Sequence, residues 1–339
     1  MIIHSGFDGC GTGYQACKNL GIPVSKYYAN EIDPYAMKIS NKNHPNIVQL
    51  GSISDYWDFK EGAFDLMIAG SPCQGFSFAG KQLAFEDPRS KLFFEWYKLF
   101  DKVKPKWFLF ENVRMQQQNQ DVISRYLGVQ PIEINSSLVS AQNRKRLYWT
   151  NIPMTQPEDR GIVLQDILEN GFSDRDKSHC IDANYFKGGN LKSYFEKHRR
   201  QLVFSNEGLC HVGDADLKGH DSIKRVYHPE GKSPTLTTMQ GGHREPKVFI
   251  AQRPRGVNKG GIRAINGKTP TLSSSSWEQN NFLVDAETLR WRKLTPIECE
   301  RLQTLPDNYT EGVSNTQRYK MLGNGMTCAV IEHILKGLL

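Results

Sequence analysis

Ala63-Phe64-Asp65-Leu66-Met67-Ile68-Ala69-Gly70-Ser71-Pro72-Cys73-Gln74-Gly75-Phe76-Ser77 is the stretch on which the fold turns. Leu66 to Ala69 are consecutive apolar residues that run into Gly-Ser-Pro. So short a run, closed by turn residues, reads as a strand buried on both faces and ending at a loop. The same pattern repeats outward from it. Met1 to Phe7 reads as a strand entering a Gly turn, and residues 11–20 as a helix. Val24 to Asn30 is strand-like. Residues 33–43 are helical, opening with Asp33-Pro34 as cap and first-turn proline. Residues 89–103 form another helix, and Lys106-Trp107-Phe108-Leu109-Phe110 another buried strand. This β-α-β alternation implies an α/β domain with a parallel sheet covered on both faces. Ligands of such folds gather at the carboxyl ends of the strands.

The chain has 339 residues, enough for one large or two ordinary domains. With 38% hydrophobic and 23% charged residues it reads as a soluble globular protein. No apolar run reaches the ~18–20 residues of a membrane span, and the first residues lack signal-peptide character. Seven cysteines without a close C-x-x-C pair argue against a disulfide framework and fit a reducing cytoplasm. His179-Cys180, His198 and Cys210-His211 match no familiar ligand spacing, so no metal is expected.

The net charge of +7 is unevenly placed. Residues 176–293 hold 20 Lys and Arg against 12 Asp and Glu, and the remainder 23 against 24. A basic segment of this kind is either a solvated face or a surface for a polyanion. From about 175 to 290 Gly, Asn, Ser and basic residues dominate, which reads as a second domain of short strands and loops. Gly231-Lys232-Ser233-Pro234-Thr235-Leu236-Thr237 returns as Gly267-Lys268-Thr269-Pro270-Thr271-Leu272-Ser273. Residues 294–305 and 327–339 read as closing helices.

The chemistry-bearing residues stand at the strand ends. Phe7-Asp8-Gly9-Cys10-Gly11-Thr12-Gly13 opens a helix, where glycines let a ligand approach the backbone. Glu31, 18 residues beyond Gly13, is placed to accept from ribose hydroxyls. Cys73, on a loop beside main-chain N–H groups, is either a nucleophile or an inert buried thiol. Glu111, at the tip of an apolar strand, can have a raised pKa and donate a proton. Gln142-Asn143-Arg144-Lys145-Arg146-Leu147-Tyr148 alternates basic residues onto one strand face.

Taken in order, these motifs resemble those of the cytosine-C5 DNA methyltransferase family. Phe7-Asp8-Gly9-Cys10-Gly11 resembles its first motif, with Asp8 and Thr12-Gly13-Tyr14 nearer the de novo vertebrate enzymes. Asn30-Glu31-Ile32-Asp33 resembles the ribose motif, Ser71-Pro72-Cys73-Gln74 the nucleophile motif and Glu111-Asn112-Val113 the proton-donor motif. Gln142 to Arg146 resembles Q-x-R-x-R. Arg292 to Cys299 resembles the motif that follows the recognition domain, and Gly323-Asn324-Gly325-Met326 the closing G-N-S-V. Three features depart from the pattern. Ser52 stands where the family has an adenine-reading Asp, with Asp55 as the nearest substitute. Gly325 and Met326 replace Ser and Val. The Thr-Leu element is doubled.

The resemblance implies a class I S-adenosylmethionine-dependent methyltransferase sheet over residues 1–175. It implies a smaller target-recognition domain over 176–312 and a C-terminal segment, 313–339, returning to the catalytic domain. It assigns attack on cytosine C6 to Cys73, proton donation at N3 to Glu111 and contact with O2 to Arg146. Arg144 and Ser77 would hold phosphate or the flipped nucleotide's backbone. Phe7, Gly9, Gly11, Glu31, Ile32, Ser52, Ile53, Ser71, Pro72, Leu92 and Asn324 would form the S-adenosyl-L-methionine site. Residues 75–91 would close as a lid. Gln74, Ser77, Thr235, Thr237, Gln240 and Arg244 would contact DNA. The expected partner is double-stranded DNA, met by a monomer in a bacterial or phage-infected cytoplasm, with or without a companion restriction endonuclease. A tRNA cytosine-5 methyltransferase, an inactive DNA-binding regulator and a dinucleotide oxidoreductase are the competing readings.

Overall fold

This computed structural model describes residues 1–55, 58–72, 91–189, 194, 197–205, 211–214, 225–227, 249–252, 261–264, 281–283 and 290–339. For residue 91, and for those from 211 to 290, it describes the backbone alone. The chain forms two units. The first comprises Met1–Ile167, Asp176–Gly189 and Leu294–Leu339; the second comprises Leu168–Arg175 and Asn190–Lys293.

The first unit is built on β1 (Ile2–Gly6), β2 (Lys26–Asn30), β3 (Ile47–Gly51), β4 (Leu66–Gly70), β5 (Trp107–Val113), β6 (Ile132–Asn135) and β7 (Lys145–Thr150). They lie in the order β3-β2-β1-β4-β5-β7-β6. The first five in that order are parallel, and β7 runs antiparallel to both β5 and β6. Strand order reverses between β1 and β4, so a crevice opens there at the carboxyl ends.

The helices are α1 (Thr12–Asn19), α2 (Pro34–Asn43), α3 (Lys91–Val103), α4 (Gln117–Leu127), α5 (Leu164–Ile167), α6 (Pro296–Leu302), α7 (Asn315–Asn324) and α8 (Cys328–Leu335). Asp33 caps α2, accepting from Tyr35 N at 3.0 Å, and Pro34 occupies the first turn. On α3, Phe93, Trp96, Leu99 and Val103 recur at helical spacing and pack with Met67, Ala69, Phe108 and Phe110 of the sheet. Thr295 and Glu298 close a reciprocal capping box at the start of α6. No helix among the described residues is long and apolar enough to cross a membrane.

The unit boundaries differ from those expected at 175/176 and 312/313. Residues 176–189 and 294–312 belong to the first unit. Ser178 N donates to Ala141 O at 2.7 Å, and Arg318 of α7 bridges buried Glu300 of α6 at 2.8 Å. The Tyr185 hydroxyl accepts from Leu294 N at 2.9 Å, and the Tyr319 hydroxyl donates to Leu294 O at 2.7 Å. The returning chain is thereby pinned beside residues that precede its departure. Composition does not mark the border at Gly189, because the Gly-rich, basic texture begins inside the first unit; its end near 290 lies close to Lys293.

The second unit pairs short strands in antiparallel fashion: β8 (Leu202–Ser205) with β14 (Arg290–Lys293), and β9 (His211–Asp214) with β10 (Arg225–Tyr227). β11 (Phe249–Gln252) pairs with both β12 (Gly261–Ala264) and β13 (Asn281–Leu283). Tyr194, Leu202 and Phe204 are buried together with Phe172 packed against them. The Tyr194 hydroxyl donates to Asp174 and accepts from Arg175 Nε at 3.0 Å and Gln201 Nε2 at 2.8 Å.

Candidate active site

A cavity of about 470 Å³ opens at the carboxyl ends of β1, β2, β4 and β5. That volume falls in the range of small-molecule sites. Its walls come from the loops after these strands and after β3, from the starts of α3 and β7, and from the end of α7.

Phe7, Gly9, Glu31, Ile32, Ser52 and Ile53 stand on one side of the cavity. The chain leaves β1 through Phe7, whose φ of 59° is left-handed, a strained conformation for a bulky side chain. Gly9 N donates to Glu31 Oε2 at 2.8 Å, while Ile32 N and Asp33 N donate to Oε1 at 2.7 and 2.8 Å. Three main-chain donors thus fix the Glu31 carboxylate. Ile32 beside it is 74% exposed, an apolar side chain open to solvent at the cavity edge. Ser52 and Ile53 line the wall. Ser52 Oγ accepts from Ser54 N at 3.1 Å, and Ser52 O accepts from Asn30 Nδ2 at 3.1 Å. Asp55 is exposed and is not among the wall residues. Gly11 is also absent from the wall. It caps α1 at φ 84°, and a Cβ there would stand 3.0 Å from the His44 ring, so this glycine serves the fit of α1 against its neighbours.

Glu111, Arg144 and Arg146 line it as well. Glu111 lies within β5, not beyond it, because pairing with β7 carries the strand on to Val113. Gly70, the last residue of β4, pairs with Glu111, so the carboxylate stands level with the point where the chain turns toward position 73. Glu111 is buried, and its Oε1 meets Arg146 Nε at 3.0 Å. Burial raises its pKa above the ordinary carboxylate value, and the Arg146 and Arg144 guanidinium groups pull it partly back. Ser71 and Pro72 lie in the same wall. Asn112 Nδ2 donates to Ser71 Oγ at 3.1 Å and ties that turn to β5. Leu92, Asn324 and Met326 complete this side. Met326 Cε and Glu111 Oε2 lie 3.7 and 3.2 Å from where a side chain on Gly70 would begin.

Arg144 and Arg146 both reach the wall, while Lys145 between them is exposed. The alternation holds, but Arg144 precedes the strand. Its guanidinium is occupied by protein: Nη1 donates to Ile181 O at 3.1 Å, and Nη2 to Gly323 O and Gly325 O at 3.2 and 2.8 Å. Cys73, Gln74, Ser77, Thr235, Thr237, Gln240 and Arg244 lie outside the described residues. So do residues 75–90 of the expected lid, the two Thr-Leu copies and Cys210.

The model of the C-5 cytosine-specific DNA methylase family matches residues 1–128 and 136–339. The chain belongs to that family. It is 29% identical to the orphan methyltransferase M.SPBetaI of Bacillus phage SPbeta, over 99% of this chain and 97% of the phage protein. It is 25% identical to the type II methyltransferase M.HgiCI of Herpetosiphon aurantiacus, over 99% and 96% respectively. The solved structure of the Entamoeba histolytica methyltransferase EhMeth superposes with a TM-score of 0.63 at 15% identity, covering 100% of this chain and 97% of that one. That likeness is one of fold.

Sequence reading of the methylase assigned no role to several residues in and behind this cavity. Asn112 carries a signal, being a buried amide that follows Glu111 at the end of a largely apolar strand. Asn30 and His4 carry the same one. His4 Nε2 donates to Asn30 Oδ1 at 2.8 Å, since the Asn30 amide nitrogen is already donating to Gly51 O and Ser52 O. Burial drives the His4 pKa down to about 4. Buried Asp8 accepts from the Tyr27 hydroxyl at 2.8 Å, and burial pushes its pKa up to about 6. Lys320, paired with Asp33 at 2.7 Å across the cavity rim, gave no signal, because α7 itself was not legible.

Proposed function

We propose that the protein transfers a methyl group from S-adenosyl-L-methionine to C5 of cytosine in double-stranded DNA, acting on a base turned out of the helix. One observation carries the reading. The buried Glu111 carboxylate, bridged to Arg146 at 3.0 Å, shares a single cavity with Glu31 and the exposed Ile32. An acid poised for a pyrimidine nitrogen therefore faces a nucleoside-shaped pocket.

The residues present suit the donor. Glu31 is aimed by three N–H groups to accept from ribose hydroxyls, and Ile32 and Phe7 offer apolar surface to an adenine ring. Bound there, the donor supplies an electrophilic methyl group. The chain supplies the rest. Cytosine C5 is a poor nucleophile until C6 is attacked. The Cys73 thiolate forms a bond to C6 while Glu111 gives a proton to N3, which disperses the charge created by attack. The electron pair of the resulting C4–C5 enamine takes the methyl group. The C5 proton then passes to water, and the C6–S bond breaks with its electron pair returning to the Cys73 sulfur as the ring regains its C5–C6 double bond. Glu111 recovers its proton from N3. Arg146 holds O2 and keeps the carboxyl aligned. C6 is hidden in a stacked duplex, so the base must leave the helix, at a cost of a few kcal/mol. The basic segment 176–293 would hold phosphates, with Gln240 and Arg244 suited to base edges.

Duplex DNA containing 5-fluorocytosine tests this. Fluorine at C5 cannot leave as a cation, so the adduct through sulfur should persist as a denaturation-resistant complex. The expected result is trapping on DNA that needs Cys73 and the methyl donor. Trapping on tRNA alone would assign the chemistry to RNA, and trapping on neither would leave a DNA-binding protein without this activity. Bisulfite or nanopore sequencing of DNA from expressing cells would then give the methylated sequence.

A further inference from the structure

Asn324 stands in the cavity wall as the last residue of α7. The final carbonyls of a helix have no partners within it. Here two side chains supply them. Gln303 Nε2 donates to Leu322 O at 2.6 Å and to Gly325 O at 3.2 Å. Arg144 Nη2 donates to Gly323 O and Gly325 O, the carbonyls on either side of Asn324. Its Nη1 grips Ile181 O, with the Cys180 sulfur at 3.3 Å. The segment around Ile181 in turn lies so close to Gly323 that a Cβ there would fall 2.2 Å from the carbonyl carbon of Asp182. Arg144 is only 3% exposed. A planar fork of fixed donors, buried at the negative end of a helix dipole, is a clamp on main chain.

Resting on the reading of this cavity as the methyl-donor site, we propose that Arg144 is a positioning residue for that site. It holds Asn324 in the wall through the two flanking carbonyls and does not contact a DNA phosphate. The alternative role, a phosphate contact, has a different signature. Loss of one phosphate contact lowers the slope of log K against log salt by about 0.9.

The test compares wild type with Arg144→Lys and Arg144→Met. Calorimetry reads the binding of S-adenosylhomocysteine in the absence of DNA, and salt titration reads the binding of a duplex. An ammonium cannot span both carbonyls. Arg144→Lys should therefore weaken S-adenosylhomocysteine binding about tenfold and raise the donor KM by a similar factor. The value of kcat at saturating donor should stay within about threefold, and the salt slope should not change. Unchanged S-adenosylhomocysteine affinity, or a salt slope lower by about one, would overturn the inference while leaving the cavity reading intact. Failure of the wild type itself to bind S-adenosylhomocysteine would overturn both. Should the Arg144 variants fail to fold, Gln303→Met keeps the buried cation and removes the second donor to Gly325 O. It should weaken S-adenosylhomocysteine binding three- to tenfold, and an unchanged affinity would count against the clamp.

Discussion

Glu111 and Arg146 sit on neighbouring antiparallel strands, diagonal to one another, with carboxylate oxygen and guanidinium nitrogen 3.0 Å apart. The pairing partner of Glu111 is Tyr148 and that of Arg146 is Val113, so the contact is fixed by strand register and not by loop geometry. Register is hard to shift without turning every side chain to the opposite face. The Glu111 carboxylate is therefore held by the sheet itself.

Removing that acid should leave a protein that binds but does not turn over. Glu111→Gln keeps the size and hydrogen-bonding outline of the side chain. It should lower kcat by roughly 10²–10⁴, the usual worth of general acid catalysis, with duplex affinity little changed. Single-turnover methylation and a gel-shift titration would check it. Near-normal turnover would remove Glu111 from the chemistry.

Arg146 should tune where activity falls at high pH. Glu111 must be protonated to donate, so activity is lost as pH rises through its pKa. Burial raises that pKa and the Arg146 charge lowers it. Arg146→Met removes the lowering influence, so the alkaline limb of the kcat profile should move upward even as its plateau falls. A limb that moves downward, or not at all, would contradict the electrostatic coupling.

Ile32 should matter to the methyl donor and not to folding. It is largely exposed, so truncating it leaves no hole in the core. Burying an Ile contributes about 1.5–3 kcal/mol, and losing most of that against a ring is about a tenfold change in affinity. Ile32→Ala should raise the donor KM about tenfold with kcat nearly constant and thermal stability shifted by less than ~0.5 kcal/mol.

The buried His4 should make stability fall on mild acidification. Its folded pKa is about 4, against an ordinary value of 6.5. Between these values the unfolded chain binds a proton that the folded one does not, so folding weakens as pH drops, by up to ~1.4 kcal/mol per unit. Asp8, raised from 3.8 to about 6, works in the opposite sense between those two values. Comparing wild type with His4→Gln in denaturant titrations isolates the histidine. Their stability difference should shrink from pH 6.5 towards 4, and a constant difference would refute the assignment.

Much of the first unit was legible because its strands are apolar on both faces. Leu66 to Gly70 and Trp107 to Phe110 could hardly be anything else, and Asp33-Pro34 announced α2. What escaped was the chemistry of pairing. β6 reads Ile132-Glu133-Ile134-Asn135, four residues at the sheet edge with only Ile134 fully buried, too short and too polar to stand out. α4 and α7 are mostly polar segments whose few buried residues give a thin stripe. Cavity residues were legible where a motif named them, as with Glu31, Ile32 and Glu111. Gly11, expected at the donor site, faces α2 and is absent from the cavity wall, and the guanidinium of Arg144, expected on phosphate or the flipped nucleotide's backbone, donates to main-chain carbonyls. A sequence shows that an arginine is present but not which oxygens surround it.

The grip of Tyr185 and Tyr319 on Leu294 has a consequence for changes in chain length. The chain from Asn190 to Lys293 leaves and rejoins the first unit near this cluster, and lengthening a closed loop adds only about 0.6 kcal/mol per doubling. Insertions and deletions between positions 190 and 293 should therefore leave the Glu111–Arg146 register of the first unit unaltered.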